Sequence, residues 1–189
     1  MTERIMPPHG GYKDLLSFQK AEIVYDATVK FCADLLNKRD RTVDQMVQAA
    51  RSGKQNIVEG SSASGTSKEM ELKLTNVARA SLEELLTNYR DFLRTRGFDE
   101  WPKDHACVIR LRELNRQPHA NYETFKRAVE HPDVAIRANA IIGLIKVTTY
   151  LLDQRLRQLE QAFINEGGLR ERMTRERLAH RTNNTRGAT

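Results

Sequence analysis

Ile141-Ile142-Gly143-Leu144-Ile145-Lys146-Val147-Thr148-Thr149-Tyr150-Leu151-Leu152 is the stretch that decides the fold. It lies inside a longer pattern. Val134, Ala138, Ile141, Ile145, Thr148 and Leu152 recur at alternating steps of four and three, and Leu156, Leu159 and Phe163 carry the stripe on. That spacing keeps side chains on one face of a helix. Ile142, Leu144, Val147 and Leu151 fall off the stripe, so the middle of this helix is apolar nearly all round. Such a helix needs cover on two sides. Other long helices supply one side; the other falls to the segment at about 98–131 or to a neighbouring subunit. On the second alternative, Ile142, Leu144 and Leu151 form an oligomer interface.

Three further helices precede it. Phe18, Ala21, Tyr25, Thr28, Cys32 and Leu35 line one face of a first helix from about Asp14 to Leu36, widened by Val24 and Phe31. After the charged break Asn37–Arg41, Thr42-Val43-Asp44-Gln45 has the spacing of a capping box. The second helix turns Val43, Met46, Val47, Ala50, Gly53 and Ile57 inward and ends near Gly60. The third begins after a small-residue loop, capped by Thr66 or Ser67, and runs about 45 Å to Arg96. Gly97 stops it. Between residues 98 and 131 the pattern weakens. Trp101-Pro102, Gln117-Pro118 and His131-Pro132 bracket short helical pieces near 103–115 and 122–130.

The expected architecture is therefore all-α: an up-down-up-down antiparallel four-helix bundle over residues 12–168, with a helical insert at about 98–131. A flexible arm covers 1–11 and a basic helical tail 169–189. Nothing resembles a signal peptide, and no run approaches the roughly 20 apolar residues of a membrane span. Cys32 and Cys107 are isolated thiols, which suits a reducing compartment. A cytoplasmic location without membrane attachment is expected.

The net charge of +6 is unevenly spread. Residues 169–189 hold 6 arginines against 2 glutamates, so most of the excess lies there. Arg170, Arg172, Arg175 and Arg177 in the tail, with Arg110, Arg112, Arg116, Lys126 and Arg127 in the insert, are candidate phosphate contacts. Arginine's planar fork donates two parallel hydrogen bonds to a phosphate. Tyr12, Trp101, Tyr122 and Phe125 offer stacking faces among these charges. Lys68, beside the start of the third helix, is one more candidate.

Signals for catalysis are weak. The histidines His9, His105, His119, His131 and His180 form no E-x-x-H or H-E-x-x-H pair, and no C-x-x-C occurs, so no metal or cofactor is expected. Gly60 and Gly65 have the spacing of a nucleotide-binding loop, but Thr66 stands where lysine belongs and a helix precedes the loop. Glu59, near Asn56 and Gly60, is a carboxylate in search of a partner, and Arg79 on the next helix is the candidate. No nucleophile or second acid accompanies it. A non-enzymatic binding protein is the expectation.

Several of these segments resemble a known family. Tyr12-Lys13-Asp14-Leu15-Leu16-Ser17-Phe18-Gln19-Lys20-Ala21 is similar to the opening of the four-helix bundle proteins encoded in ribosomal-RNA intervening sequences, which usually carry tryptophan where Phe18 stands. Ala49-Ala50-Arg51-Ser52 and Asn56-Ile57-Val58-Glu59-Gly60 resemble the family's central signature, with Val58 in place of alanine. Ser67-Lys68-Glu69 and Ala80-Ser81-Leu82-Glu83-Glu84-Leu85 resemble its third helix. Residues 150–173 look like the suffix extension found on a subset. The resemblance implies a homo-oligomer, a ring-shaped pentamer, with a positive surface. It also implies partners such as RNA, DNA or a ribonucleoprotein, a reverse transcriptase among them, as for the accessory variability protein of retroelements.

Overall fold

The computed structural model describes residues 11–37, 39–167, 171, 173–175 and 177–178. Among them every regular element is helical and no strand occurs. A 3-10 turn, Tyr12–Asp14, leads into α1 (Leu16–Leu35), α2 (Arg41–Ala63) and α3 (Lys68–Thr95). Two short helices follow, α4 (Ala106–Arg116) and α5 (Tyr122–Val129), and then the long α6 (Val134–Glu166). Most of the arm at 1–11 and much of the tail at 169–189 lie outside the described residues.

Local chemistry explains most of the boundaries. The α2 cap is Asp40, not Thr42: its carboxylate accepts from the Thr42 N–H at 2.9 Å, and the helix starts at Arg41. A carboxylate is a strong N-cap and also faces the positive end of the helix dipole, so it takes the role two residues earlier than the capping-box spacing implied. Helix α2 also runs past Gly60 to Ala63, absorbing half of the expected small-residue loop. Ser67 caps α3, its hydroxyl accepting from the Met70 N–H at 3.1 Å. The far end closes through Gly97 at φ +73°, where Phe98 N–H reaches the Leu93 carbonyl at 3.0 Å and Gly97 N–H the Arg94 carbonyl at 3.2 Å. A positive φ is costly for any residue with a Cβ, which is why glycine stands there. Asp133 caps α6 through Ala135 and Ile136, and Gly167 at φ +71° ends it.

Helix α1 packs against α2 and α6, and α3 packs against the same two helices. Its buried face holds Phe18, Ala21, Val24, Ala27, Thr28, Phe31 and Cys32, while Tyr25 and Leu35 of the expected stripe are half-buried. The stripe is thus rotated toward Val24 and Phe31. Phe31 meets Tyr89 and Phe92 of α3 edge-on, at 5.0 and 4.8 Å between ring centroids, a favoured aromatic geometry. Contact between α2 and α3 is closest at Gly53, where an added Cβ would lie 2.8 Å from Leu82 Cγ and Cδ2.

The second side of α6 is covered by the chain itself. Helix α5 lies against α1 and α6 and buries Phe125 and Val129; α4 lies against α6 and buries Leu111. In consequence Ile142 and Leu144 are 2% and 0% exposed within one chain, and they are core residues rather than an interface. Leu151, below the insert, is half-buried. The same burial qualifies the membrane reading. Val134–Asn165 has the length and apolarity of a membrane span, which the sequence reading denied, but 56% of its most apolar window is buried inside the fold.

Charged side chains tie α6 to its neighbours. Arg137 donates to Asp34 of α1 at 2.8 Å, and Arg155 to Glu71 of α3 at 2.6 Å. Glu100, on the connection after α3, accepts from Arg90 at 2.8 Å and from Lys146.

Candidate nucleic-acid interface

Helix α4 is amphipathic over three turns. Leu111 is buried and Val108, Leu114 and Asn115 are half-buried toward α6, leaving the opposite arc to Ile109, Arg110, Arg112, Glu113 and Arg116. Its N-terminus is fixed by His105, whose Nδ1 accepts from the Cys107 N–H at 3.2 Å. The ring of His105 lies flat on Trp101, 4.5 Å between centroids and 9° from parallel. Trp101 is held from below: its backbone N–H donates to Asn139 Oδ1 at 2.8 Å, and Asn139 Nδ2 donates to the Asp99 carbonyl at 3.0 Å. The tryptophan thus joins the edge of the core, with the histidine stacked on it.

The arginines of α4 differ in their engagement. Arg110 is paired with Glu113 at 2.9 Å. Arg112 and Arg116 are exposed and form no ion pair among the described residues. On α5, Lys126 is paired with Glu123 at 3.1 Å, whereas Arg127 is exposed and unpaired among the described residues. Of the other expected phosphate contacts, Lys68 opens α3 half-buried and already engaged. Arg175 and Arg177 are exposed on helical residues, Arg175 with a contact of its own. Arg170 and Arg172 lie outside the described residues.

Among the aromatic candidates, Phe125 is 1% exposed and lost to the core. Tyr122 is half-buried and donates its hydroxyl to Glu130 at 2.9 Å. Burial first, and then that hydrogen bond, raise its phenol above the usual range.

The signature residues around α2 play a structural part. Asn56 Nδ2 donates to the Ser52 carbonyl at 2.8 Å and lies 3.1 Å from its hydroxyl, which in turn is 3.1 Å from the Ser81 hydroxyl of α3. Gly60 is buried against α3, where a Cβ would come to 3.4 Å from Leu74 Cβ, at the near edge of ordinary van der Waals contact. Glu59, however, is exposed and accepts from Gln55 at 3.3 Å; it does not meet Arg79. Arg79 turns to Asn76 at 3.2 Å and to Asp153 of α6 at 3.6 Å. At the end of a helix an exposed carboxylate keeps its water, and burial forces no partner on it.

Two features escaped the sequence reading. The buried carboxylate of the α2–α3 end is Glu71, not Glu59, and nothing in its neighbours in sequence shows that Arg155 meets it. The role of His105 was also missed, although one signal was present: residues 105, 109, 112 and 116 follow helical spacing and place imidazole, Ile109 and two arginines on one stripe.

Among the described residues no group of three or more His, Cys, Asp or Glu side chains is arranged to hold a metal ion. Comparison of the chain with family models, with curated proteins and with solved structures found no match.

Proposed function

We propose that the protein is a non-enzymatic accessory factor that binds nucleic acid, alone or in a ribonucleoprotein, through the outer face of its insert. The observation that carries this reading is the pair Arg112 and Arg116, exposed one turn apart on α4 and free of ion pairs among the described residues. A guanidinium already matched to a carboxylate gains little from a phosphate; an unmatched one releases counterions when a phosphate arrives. Arg127, exposed and without an ion pair among the described residues, extends the same chemistry.

The scaffold we propose for this surface is an up-down-up-down antiparallel four-helix bundle of α1, α2, α3 and α6, as in the intervening-sequence proteins it resembles. Its support is the packing of α1 and α3 each against α2 and α6, joined by short connections between the first three. The setting is the reducing cytoplasm, where the free thiols Cys32 and Cys107 are at home.

The test is affinity for labelled RNA and DNA over a series of salt concentrations. Binding that falls steeply with added salt supports the reading, and the Arg112→Ala/Arg116→Ala double variant should flatten the slope by about two phosphate contacts. Absence of binding at low salt removes it.

A second reading, a protein–protein scaffold assembling as a homo-oligomer, is favoured by a different observation. Below the insert, α6 exposes Tyr150, Phe163 and Ile164, the last 73% exposed. Light scattering on the wild type and on Ile164→Glu separates this reading from the first: a wild-type monomer counts against self-assembly.

A further inference from the structure

The stripe on α4 carries more than positive charge. His105, Ile109, Arg112 and Arg116 stand at steps of four, three and four, so they fall within a narrow arc of the helix. Helix α4 is about 16 Å long, and the two arginines occupy its last two turns. At its other end lies the Trp101–His105 stack, flat to within 9°, with His105 as the N-cap of the helix. Trp101 and His105 are each half-buried, and Ile109, between the stack and the arginines, is 46% exposed. The surface is therefore a planar aromatic step, an apolar tread and two cations without an ion pair among the described residues.

We propose that this stripe binds a single-stranded nucleic acid, with an unpaired base stacked on the Trp101–His105 step and the backbone running along Arg112 and Arg116. The inference rests on the nucleic-acid reading above and narrows it to one class of strand. A duplex hides its base faces, so arginines alone would serve it and an aromatic step would be idle. A single strand offers both a π face and a phosphate chain, the two things this stripe can recognise. The step is also well supported for stacking. The Trp101 backbone is anchored through Asn139 to α6, its ring packs against the core, and the His105 ring is held by its own cap bond, so little side-chain freedom is lost when a base arrives.

The test uses the full chain with a labelled single-stranded oligonucleotide and a duplex of the same sequence, both at low salt. Trp101 is the only tryptophan, so its fluorescence reports directly on the step. The single strand should bind more tightly than the duplex and quench the tryptophan. His105→Ser keeps an oxygen to cap α4 but removes the ring; it should weaken single-strand binding about tenfold and leave duplex binding within about twofold. Trp101→Leu, which keeps an apolar contact with the core, should do the same. Equal affinity for strand and duplex, with both variants like wild type, overturns the stacking step while leaving the arginine surface standing. No binding to either probe overturns both.

Discussion

Arg155 Nη2 of α6 lies 2.6 Å from Glu71 Oε1 of α3, and the Glu71 side chain is only 7% exposed while that of Arg155 is 37% exposed. The pair is asymmetric: the carboxylate has given up its water and the guanidinium has kept part of its own. Removing the arginine strands a buried charge, whereas removing both partners strands nothing. Arg155→Met should cost roughly 2 kcal/mol, less than a fully buried pair because solvent screens the partner, and the double variant with Glu71→Met should recover most of it. Urea unfolding of the wild type and both variants measures this; equal losses for the single and double variants would show that the pair does not act as a unit.

Gly53 decides how closely α2 and α3 approach. Alanine normally favours a helix over glycine by up to about 1 kcal/mol. Here its Cβ would press to 2.8 Å from Leu82, itself fully buried. Overpacking of that kind costs about 1–3 kcal/mol, so Gly53→Ala should lower Tm despite the gain in propensity. A raised Tm would mean that Leu82 yields freely.

Lys20 is 4% exposed, forms no ion pair among the described residues and has the Phe125 ring 5.2 Å from Nζ. Burial lowers its pKa. A lysine pKa lower in the folded than in the unfolded chain means that folding releases protons between the two values. Stability from this group therefore rises as the pH climbs through the folded value toward the ordinary lysine range. Lys20→Met should stabilise the protein at neutral pH by about 1 kcal/mol and flatten its stability profile on the alkaline side. Thermal unfolding of both proteins across that range checks it; a less stable variant would mean that the ammonium has a partner after all.

Glu100 behaves in the opposite sense. Burial works to raise its carboxyl, but the hydrogen bonds from Arg90 and Lys146 outweigh it and hold the group below its ordinary value. Its contribution is present above the unfolded carboxylate pKa and is lost as the pH falls through the lower folded one. Glu100→Gln should therefore be less stable than wild type at neutral pH and converge with it in strong acid. Parallel acid-unfolding curves with a constant gap would contradict this.

Ile142→Glu distinguishes a core position from an interface. With Ile142 2% exposed inside one chain, the variant should lose several kcal/mol and helical content, and not merely dissociate. A folded, monomeric Ile142→Glu protein by circular dichroism and light scattering would return this residue to an interface.

The sequence by itself determined the helices and most of their ends. Periodicity over 134–152, the cap at Ser67 and the stops at Gly97 and Gly167 are set by residues within a turn or two of one another, and backbone hydrogen bonding is local in a helix. Even the errors there were local, as where Asp40 outcompeted Thr42. Tertiary structure alone decided which segment covers Ile142 and Leu144, that Glu71 and not Glu59 is the buried carboxylate, and that His105 lies on Trp101. Each depends on where whole helices settle against one another, and the side chains that meet there are brought together by packing, not by their spacing along the chain.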